Sequence, residues 1–323
     1  VARRKPANNK PEETPACVVE QVPQVDAILT GDIHLRDDQP VCRTDNFFEA
    51  QAKKMAWLAA LQKQYQCPII DSGDVFGKAR PSPYLLQWAI RNMPDRYHSV
   101  PGNHDLPEHS LANIDKSGFG VLCAAETISN MTGICAVNFG PRALTPGLCV
   151  GVPWGIDWFD VIREHDFYEI AVIHIMTYHG NTPWPGCTDP DADTLLKDIP
   201  ARLVVTGHNH VPFVVQGDDK ILVNPGSLMR STAAQADFKP RVYLYCAHDN
   251  TVQPVYVPIE AGVVSREHLD STRDKEERLS EFVSRLAEDV EVGLSFQANM
   301  EKYLSDNRVR KGVRRIIEKG MEL

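Results

Sequence analysis

The sequence predicts a layered α/β domain followed by a short helical extension, and three observations carry that reading. From about residue 25, short β-branched runs alternate with longer helical patterns. From about residue 148 to 257 strand patterns dominate, and after about 260 they give way to charged helical segments. The expected organisation is therefore an N-terminal arm over 1–24, a main domain over 25–260 and a helical extension over 261–323.

The arm, VARRKPANNKPEETPA onward, has basic residues but no apolar segment behind them. It does not read as a secretory signal, and it offers almost nothing to bury, so a loosely attached segment is expected. AILTG (27–31) reads as the first strand. Residues 44–65 follow as an amphipathic helix, with Phe47, Phe48, Met55, Leu58 and Leu61 recurring at helical spacing. PIIDSG (68–73) is the next strand, 82–93 a helix with Ser82 as its N-cap, and YHSVPG (97–102) a third strand. Strand, helix, strand in this succession predicts a largely parallel sheet.

The second half supplies LCVGVP (148–153), IAVIHI (170–175), RLVVTG (202–207), PFVVQ (212–216), ILVNPG (221–226), RVYLYC (241–246) and VQPVYV (252–257). These are expected to form a second sheet packed on the first. Helices are expected over 272–290 and 295–320, interrupted near Gly293. Leu279, Phe282, Val283 and Leu286 would give the first of them an apolar stripe suited to a partner or a second copy of the chain.

Composition narrows the function. No apolar run approaches the roughly 18–20 residues that a membrane span needs, so no membrane partner is expected. Eight cysteines occur without a CxxC pair, a pattern that fits reduced thiols and a cytoplasmic location. The net charge of −9 argues against broad electrostatic binding of nucleic acid. The basic stretch 301–319 has helical spacing and reads as a solvated helix face.

Five short motifs lie in one order: Gly31-Asp32-Ile33-His34, Gly73-Asp74, Gly102-Asn103-His104-Asp105, His174 within VIHIM, and Gly207-His208-Asn209-His210. Four follow a predicted strand directly, and His174 lies near the end of its own. Loops beyond the carboxyl ends of strands are where α/β sheets build their sites. On an extended segment residues i and i+2 point the same way, so Asp32 and His34 can grip one ion, as can His208 and His210. Imidazole, carboxylate and amide donors together suit Mn²⁺, the expected metal, or Fe²⁺ or Zn²⁺. His174 is preferred over His179 as a ligand because it ends an apolar strand. Asp105 either orients the His104 ring or caps the following segment.

In these motifs the sequence resembles the calcineurin-like metallophosphoesterases, over about residues 25–258. The resemblance implies a four-layer βαβ-β sandwich around two divalent metal ions that activate a water between them. It implies that Asp32, His34 and His210 hold one ion, that Asn103, His174 and His208 hold the other, and that Asp74 bridges them. His104 would stand outside the coordination sphere and protonate the leaving oxygen. Asn224-Pro225-Gly226-Ser227 would form a loop bordering the site.

Within the superfamily, GDVFGKARPS and GNHD depart from the GDxVDRG and GNHE of the protein phosphatases. GDVF with Lys78-Ala79-Arg80-Pro81-Ser82, Asp32-Ile33-His34-Leu35 and VPGNHD resemble instead the SbcD-type nucleases of DNA repair. That resemblance implies a DNA substrate, expected here to be single-stranded or unpaired. It also implies an SbcC-type ATPase partner, or a homodimer, through the C-terminal helices. Arg36, Arg43, Lys78 and Arg80 would contact phosphates. Two departures stand out. Gly77 occupies a place where many of those nucleases have His, and residues 261–323 are too few for both a DNA-capping domain and a docking helix. The alternatives are a phosphodiesterase for small nucleotides such as cyclic nucleotides and, from another class, a catalytically silent binding scaffold.

Overall fold

The computed structural model describes residues 24–139, 146–267, 269 and 296–321. The expected arm up to residue 23 and the expected helix over 272–290 lie outside the described residues. The chain divides into two units. The first takes its described residues from Val1–Asp37, Phe48–Met229 and Lys239–Pro258. The second takes them from Asp38–Phe47, Arg230–Phe238 and Ile259–Leu323.

Along the first unit run β1 (Ala27–Thr30), α1 (Phe47–Tyr65), β2 (Ile69–Asp71), α2 (Pro83–Asn92), β3 (Tyr97–Ser99), α3 (Gly118–Ala124) and β4 (Ser129–Asn130). Then come β5 (Gly133–Val137), β6 (Gly147–Val152), α4 (Trp158–Ile162), β7 (Tyr168–Ile173), α5 (Ala192–Asp198) and β8 (Ala201–Thr206). Four strands close it: β9 (Phe213–Gln216), β10 (Ile221–Asn224), β11 (Arg241–Cys246) and β12 (Thr251–Tyr256). Ser82 caps α2 as expected, its Oγ accepting the Leu85 amide at 3.1 Å.

Two six-stranded sheets result, in the orders β12-β11-β1-β2-β3-β4 and β5-β6-β7-β8-β10-β9. The centre of each is parallel: β1 to β4 in the first, β6, β7, β8 and β10 in the second. The sheets face each other across one core, with Leu29, Ile70, Val100 and Tyr245 from the first meeting Ile170, Val172, Leu203 and Val223 from the second. The outer face of the second sheet packs under α4 and α5 through Ile162, Leu195 and Leu196. On the first sheet, Ile28 and Ile69 point away from that core and are also fully buried. Parallel β1-α1-β2-α2-β3 connections are right-handed as a rule, which assigns both helices to that face. The expected four-layer sandwich is the architecture observed.

One assignment is corrected. RVYLYC and VQPVYV do not join the second sheet. As β11 and β12 they return to the first, β11 pairing antiparallel with β1 in the register Ile28↔Leu244. The reason is visible in their burial. Val242, Tyr243, Leu244 and Tyr245 are all buried, so β11 has two covered faces and suits the middle of a sheet. β12, mostly exposed and carrying Pro254, suits an edge.

In the second unit, Arg43 is buried and its guanidinium is held by the Asp45 carboxylate, 2.7 Å from Nε, and by the Arg230 carbonyl at 2.9 Å. The expected helix over 295–320 is two helices, α6 (Phe296–Asp306) and α7 (Lys311–Met321). Asn307 ends α6 by donating its side-chain amide to the Tyr303 carbonyl at 3.2 Å. Among the described residues no helix is long and apolar enough to cross a membrane.

Candidate metal centre

The parallel strands all present their carboxyl ends on one side. Asp32 follows β1, Asp74 follows β2, Asn103 follows β3, His174 follows β7, and His208 and His210 follow β8. The loops are then pinned to one another by backbone bonds. Asp32 N donates to Gly73 O at 2.9 Å, His34 N to Asp74 O at 2.9 Å and Gly207 N to Ile173 O at 3.1 Å.

The local conformation differs from the extended segment the sequence suggested. Asp32 (φ 47°), His34 (φ 52°), Asp74 (φ 57°) and His208 (φ 72°) all adopt left-handed backbone. Each is a sharp turn at a strand end, a conformation that L-residues adopt at a cost and that clusters at functional sites. Two glycines make the packing feasible. Gly73 sits at φ 108°, and a β-carbon at Gly102 would lie 2.1 Å from Asp74 Oδ1.

The side chains form two donor sets. Ligand atoms of Asp32, His34 and His210 lie within 4.8 Å of one another, as do those of Asp74, His174 and His208. Asn103 belongs to the second set: its Oδ1 is 2.8 Å from His208 Nδ1 and 3.2 Å from His174 Nε2. Asp74 stands between the sets, with Oδ2 3.6 Å from His34 Nε2 and 3.5 Å from His174 Nε2. In the first set His34 Nε2 and His210 Nε2 are 3.0 Å apart, and His210 Nε2 is 3.7 Å from Asp32 Oδ1.

A surrounding layer orients these groups. His174 Nδ1 donates to the Ser72 carbonyl at 2.7 Å, which leaves Nε2 as its ligating atom. The His208 amide donates to both Asp32 oxygens at 3.1 Å. Asp105 acts as a cap, though of its own turn, Asn103–Asp105, and not of the segment after it. Its buried carboxylate accepts the amides of Val75 (3.2 Å), Phe76 (3.0 Å) and Gly102 (3.1 Å), tying the Asp74 loop to the Asn103 turn. Ser227, in the loop after β10, donates its amide to the His210 carbonyl at 3.2 Å, so that loop borders the cluster.

The electrostatics favour a cation. Burial lowers the His34 imidazole to about 3 and His208 to about 4, and it lowers His210 as well. Those rings are neutral and keep a lone pair. Burial also acts to lower His174, but the Asp74 and Asp32 carboxylates outweigh it and raise that ring to about 9. Burial raises Asp32 to about 7, whereas at Asp74 the opposing pull of His174 and His34 prevails and holds the carboxyl below its usual range. Two buried carboxylates among mostly neutral imidazoles are the electrostatic counterpart of bound divalent cations.

His104 lies beside this cluster. Its ring meets His34 edge-on at 4.8 Å, and its Nδ1 donates to the Gly77 carbonyl at 3.2 Å, leaving Nε2 for another partner. A ring atom of His104 also lies within 4.8 Å of His34 and Asp74 donors. The four basic residues expected at phosphates are not gathered alike. Arg36 sits next to Gly77, with its backbone fixed by Gln51. Lys78 is exposed on the same loop. Arg80 pairs with Glu108 at 3.3 Å on the surface. Arg43 belongs to the second unit, where Asp45 neutralises it. His179 is exposed and bonded to Asp193 at 2.9 Å, so of the two histidines weighed it is His174 that joins the cluster.

Two neighbours escaped the sequence reading. Trp154, just past β6, stacks on the His208 ring with centroids 4.7 Å apart and planes inclined by 28°. His109 donates Nδ1 to the Asn103 carbonyl at 2.9 Å. The strand-end rule applied to histidines and acids would have found Trp154 had it included aromatics.

The sequence matches the calcineurin-like phosphoesterase superfamily domain over residues 26–239. Over 78 residues it is 31% identical to a probable metallophosphoesterase of Methanocaldococcus jannaschii, a stretch covering 24% of this chain and 40% of that protein. The chain thus spans less than half the length of that relative. A crystal structure of a Thermus thermophilus protein superposes with a TM-score of 0.48 at 16% identity, covering 72% of this chain and 100% of the other. An archaeal phosphodiesterase superposes with a TM-score of 0.39 at 10% identity, covering 72% of this chain and 99% of the other.

Proposed function

The chain belongs to the calcineurin-like phosphoesterase superfamily, and from that premise we propose that it is a metal-dependent phosphodiesterase acting in the cytoplasm on single-stranded or unpaired DNA. The observation that carries the reading is the pair of donor sets joined at Asp74 with His104 alongside. Asp32, His34 and His210 would hold one divalent ion, Asn103, His174 and His208 the other, and Asp74 both. The donor chemistry fits Mn²⁺, with Fe²⁺ or Zn²⁺ as alternatives. When bound, such ions neutralise the phosphate and make a water acidic enough to attack it.

The chain's own residues do the rest. Asn103 contributes no charge, which leaves the site attractive to an anion. The Gly77 carbonyl fixes the His104 tautomer so that Nε2 carries no competing bond. With Nδ1–H held there, it is the second proton of the imidazolium, on Nε2, that would pass to a departing alkoxide, leaving the ring neutral; protonating that oxygen is the difficult part of cleaving a DNA ester. Arg36 and Lys78, on loops adjoining His104, would meet phosphates. The preference for DNA is supported by the likeness of GDVF-Gly77-Lys78-Ala79-Arg80-Pro81 and VPGNHD to the SbcD-type repair nucleases. Gly77 in place of His argues for cutting that needs no free end, because glycine has no side chain with which to seat a strand terminus.

The test is a comparison of Mn²⁺-loaded protein on circular single-stranded DNA, blunt linear duplex, a cyclic nucleotide and a bis-aryl phosphate. Cutting of the circle, with the blunt duplex turned over slowly, is expected. Turnover of the cyclic nucleotide with all DNA intact would favour a small-nucleotide phosphodiesterase. Inertness on every substrate with two metals bound would favour a binding scaffold.

A further inference from the structure

Among the described residues Trp154 is the one aromatic side chain other than histidine in contact with the rings of the candidate centre, and its placement asks for a purpose. The residue leaves β6 immediately after buried Pro153, and its amide is anchored to the Pro101 carbonyl at 3.0 Å. One face of the indole lies on His208, and its edge meets His174 with centroids 6.2 Å apart. The indole is not closed over by the fold. It keeps part of its surface in solvent, and exposed Gly155 and Ile156 follow it.

The neighbouring turn adds an independent sign. Glu108 (φ 53°) and His109 (φ 54°) are consecutive non-glycine residues in left-handed backbone. Such strain persists where surrounding structure enforces it, and it gathers at ligand sites. The turn meets the Trp154 loop: a β-carbon on Gly155 would lie 3.9 Å from the His109 carbonyl oxygen. The exposed His109 ring spends Nδ1 on the Asn103 carbonyl and has Nε2 left over. An aromatic face and a ring nitrogen therefore flank the Asn103–His174–His208 side, whereas His104 touches His34 on the other side.

We propose that Trp154, with His109 on the adjoining turn, forms a subsite on which a nucleobase of the substrate stacks, on the side of the centre away from His104. The base belongs to the nucleoside retained on the phosphate, since the leaving group faces His104. This rests on the phosphodiesterase reading of the adjoining centre. Stacking tolerates any base, which matches a substrate class defined by exposed bases rather than by sequence.

Binding, not turnover, tests it. Deoxyadenosine 5′-monophosphate and methyl phosphate are titrated calorimetrically into Mn²⁺-loaded wild type, Trp154→Ala and Trp154→Phe, with metal content measured for each. Wild type should bind the nucleotide about tenfold more tightly than methyl phosphate. Trp154→Ala should erase that advantage with both metals retained, and Trp154→Phe should keep most of it. Equal affinity of wild type for the two ligands would overturn the proposal. So would a Trp154→Ala variant that loses metal or weakens both ligands alike, since the indole would then only hold His208. A Trp154-dependent advantage in a protein that cuts no DNA would uphold the subsite while refuting the nuclease reading.

Discussion

The two donor sets of the centre use the same kinds of side chain but are held differently. In the Asn103–His174–His208 set every group is braced. His174 is fully buried and bonded to the Ser72 carbonyl, the Asn103 carbonyl is held by His109, and His208 lies on Trp154. In the Asp32–His34–His210 set, Asp32 accepts the His208 amide, but the two imidazoles lean chiefly on each other and on His104. The His210 side chain is 40% exposed, where that of His174 is 0%. A site whose donors are already fixed loses less freedom on binding, so the braced set should be the tighter one. The looser set, with His210 part exposed and His34 against His104, is the side where a leaving group has room.

The strongest way to break this comparison is to remove what the sets share. Asp74→Asn should lower occupancy at both sites and reduce turnover by about three orders of magnitude or more. Retention of two metals per chain in that variant would show that Asp74 does not join the sets. A smaller, selective effect is expected at His104. His104→Ala should keep both metals and cut DNA about a hundredfold more slowly. A bis-aryl phosphate, whose leaving group needs little protonation, should suffer much less. Loss of a metal instead would make His104 a third donor beside His34 and Asp74.

Much of this was legible because metal chemistry confines the choice of residue. Aspartate and histidine at strand ends, spaced by one residue and preceded by glycine, mark a site whatever fold supports them, and the five motifs do converge. The parallel strands were legible for a similar reason: short apolar runs such as IIDSG and VVTG are buried on both faces. What sequence could not show was pairing at a distance. Nothing local in RVYLYC says that it returns to β1 rather than joining β10, because that choice depends on which edge remains open once the centre has formed. Nor does spacing reveal conformation. Asp32 and His34 share a site through two left-handed turns, not through an extended segment. Asp105 reads as a neighbour of His104, yet its carboxylate points inward to three amides of two loops.

The inequality of the sets is best tested by titrating metal-free protein with Mn²⁺ and following binding by calorimetry. Wild type should show two sites of clearly different affinity. His210→Ala should lose the weaker and leave the tighter nearly unchanged, whereas His174→Ala should abolish the tighter. Two equal sites in wild type, or loss of the tight site on His210→Ala with the weak one intact, would contradict the account.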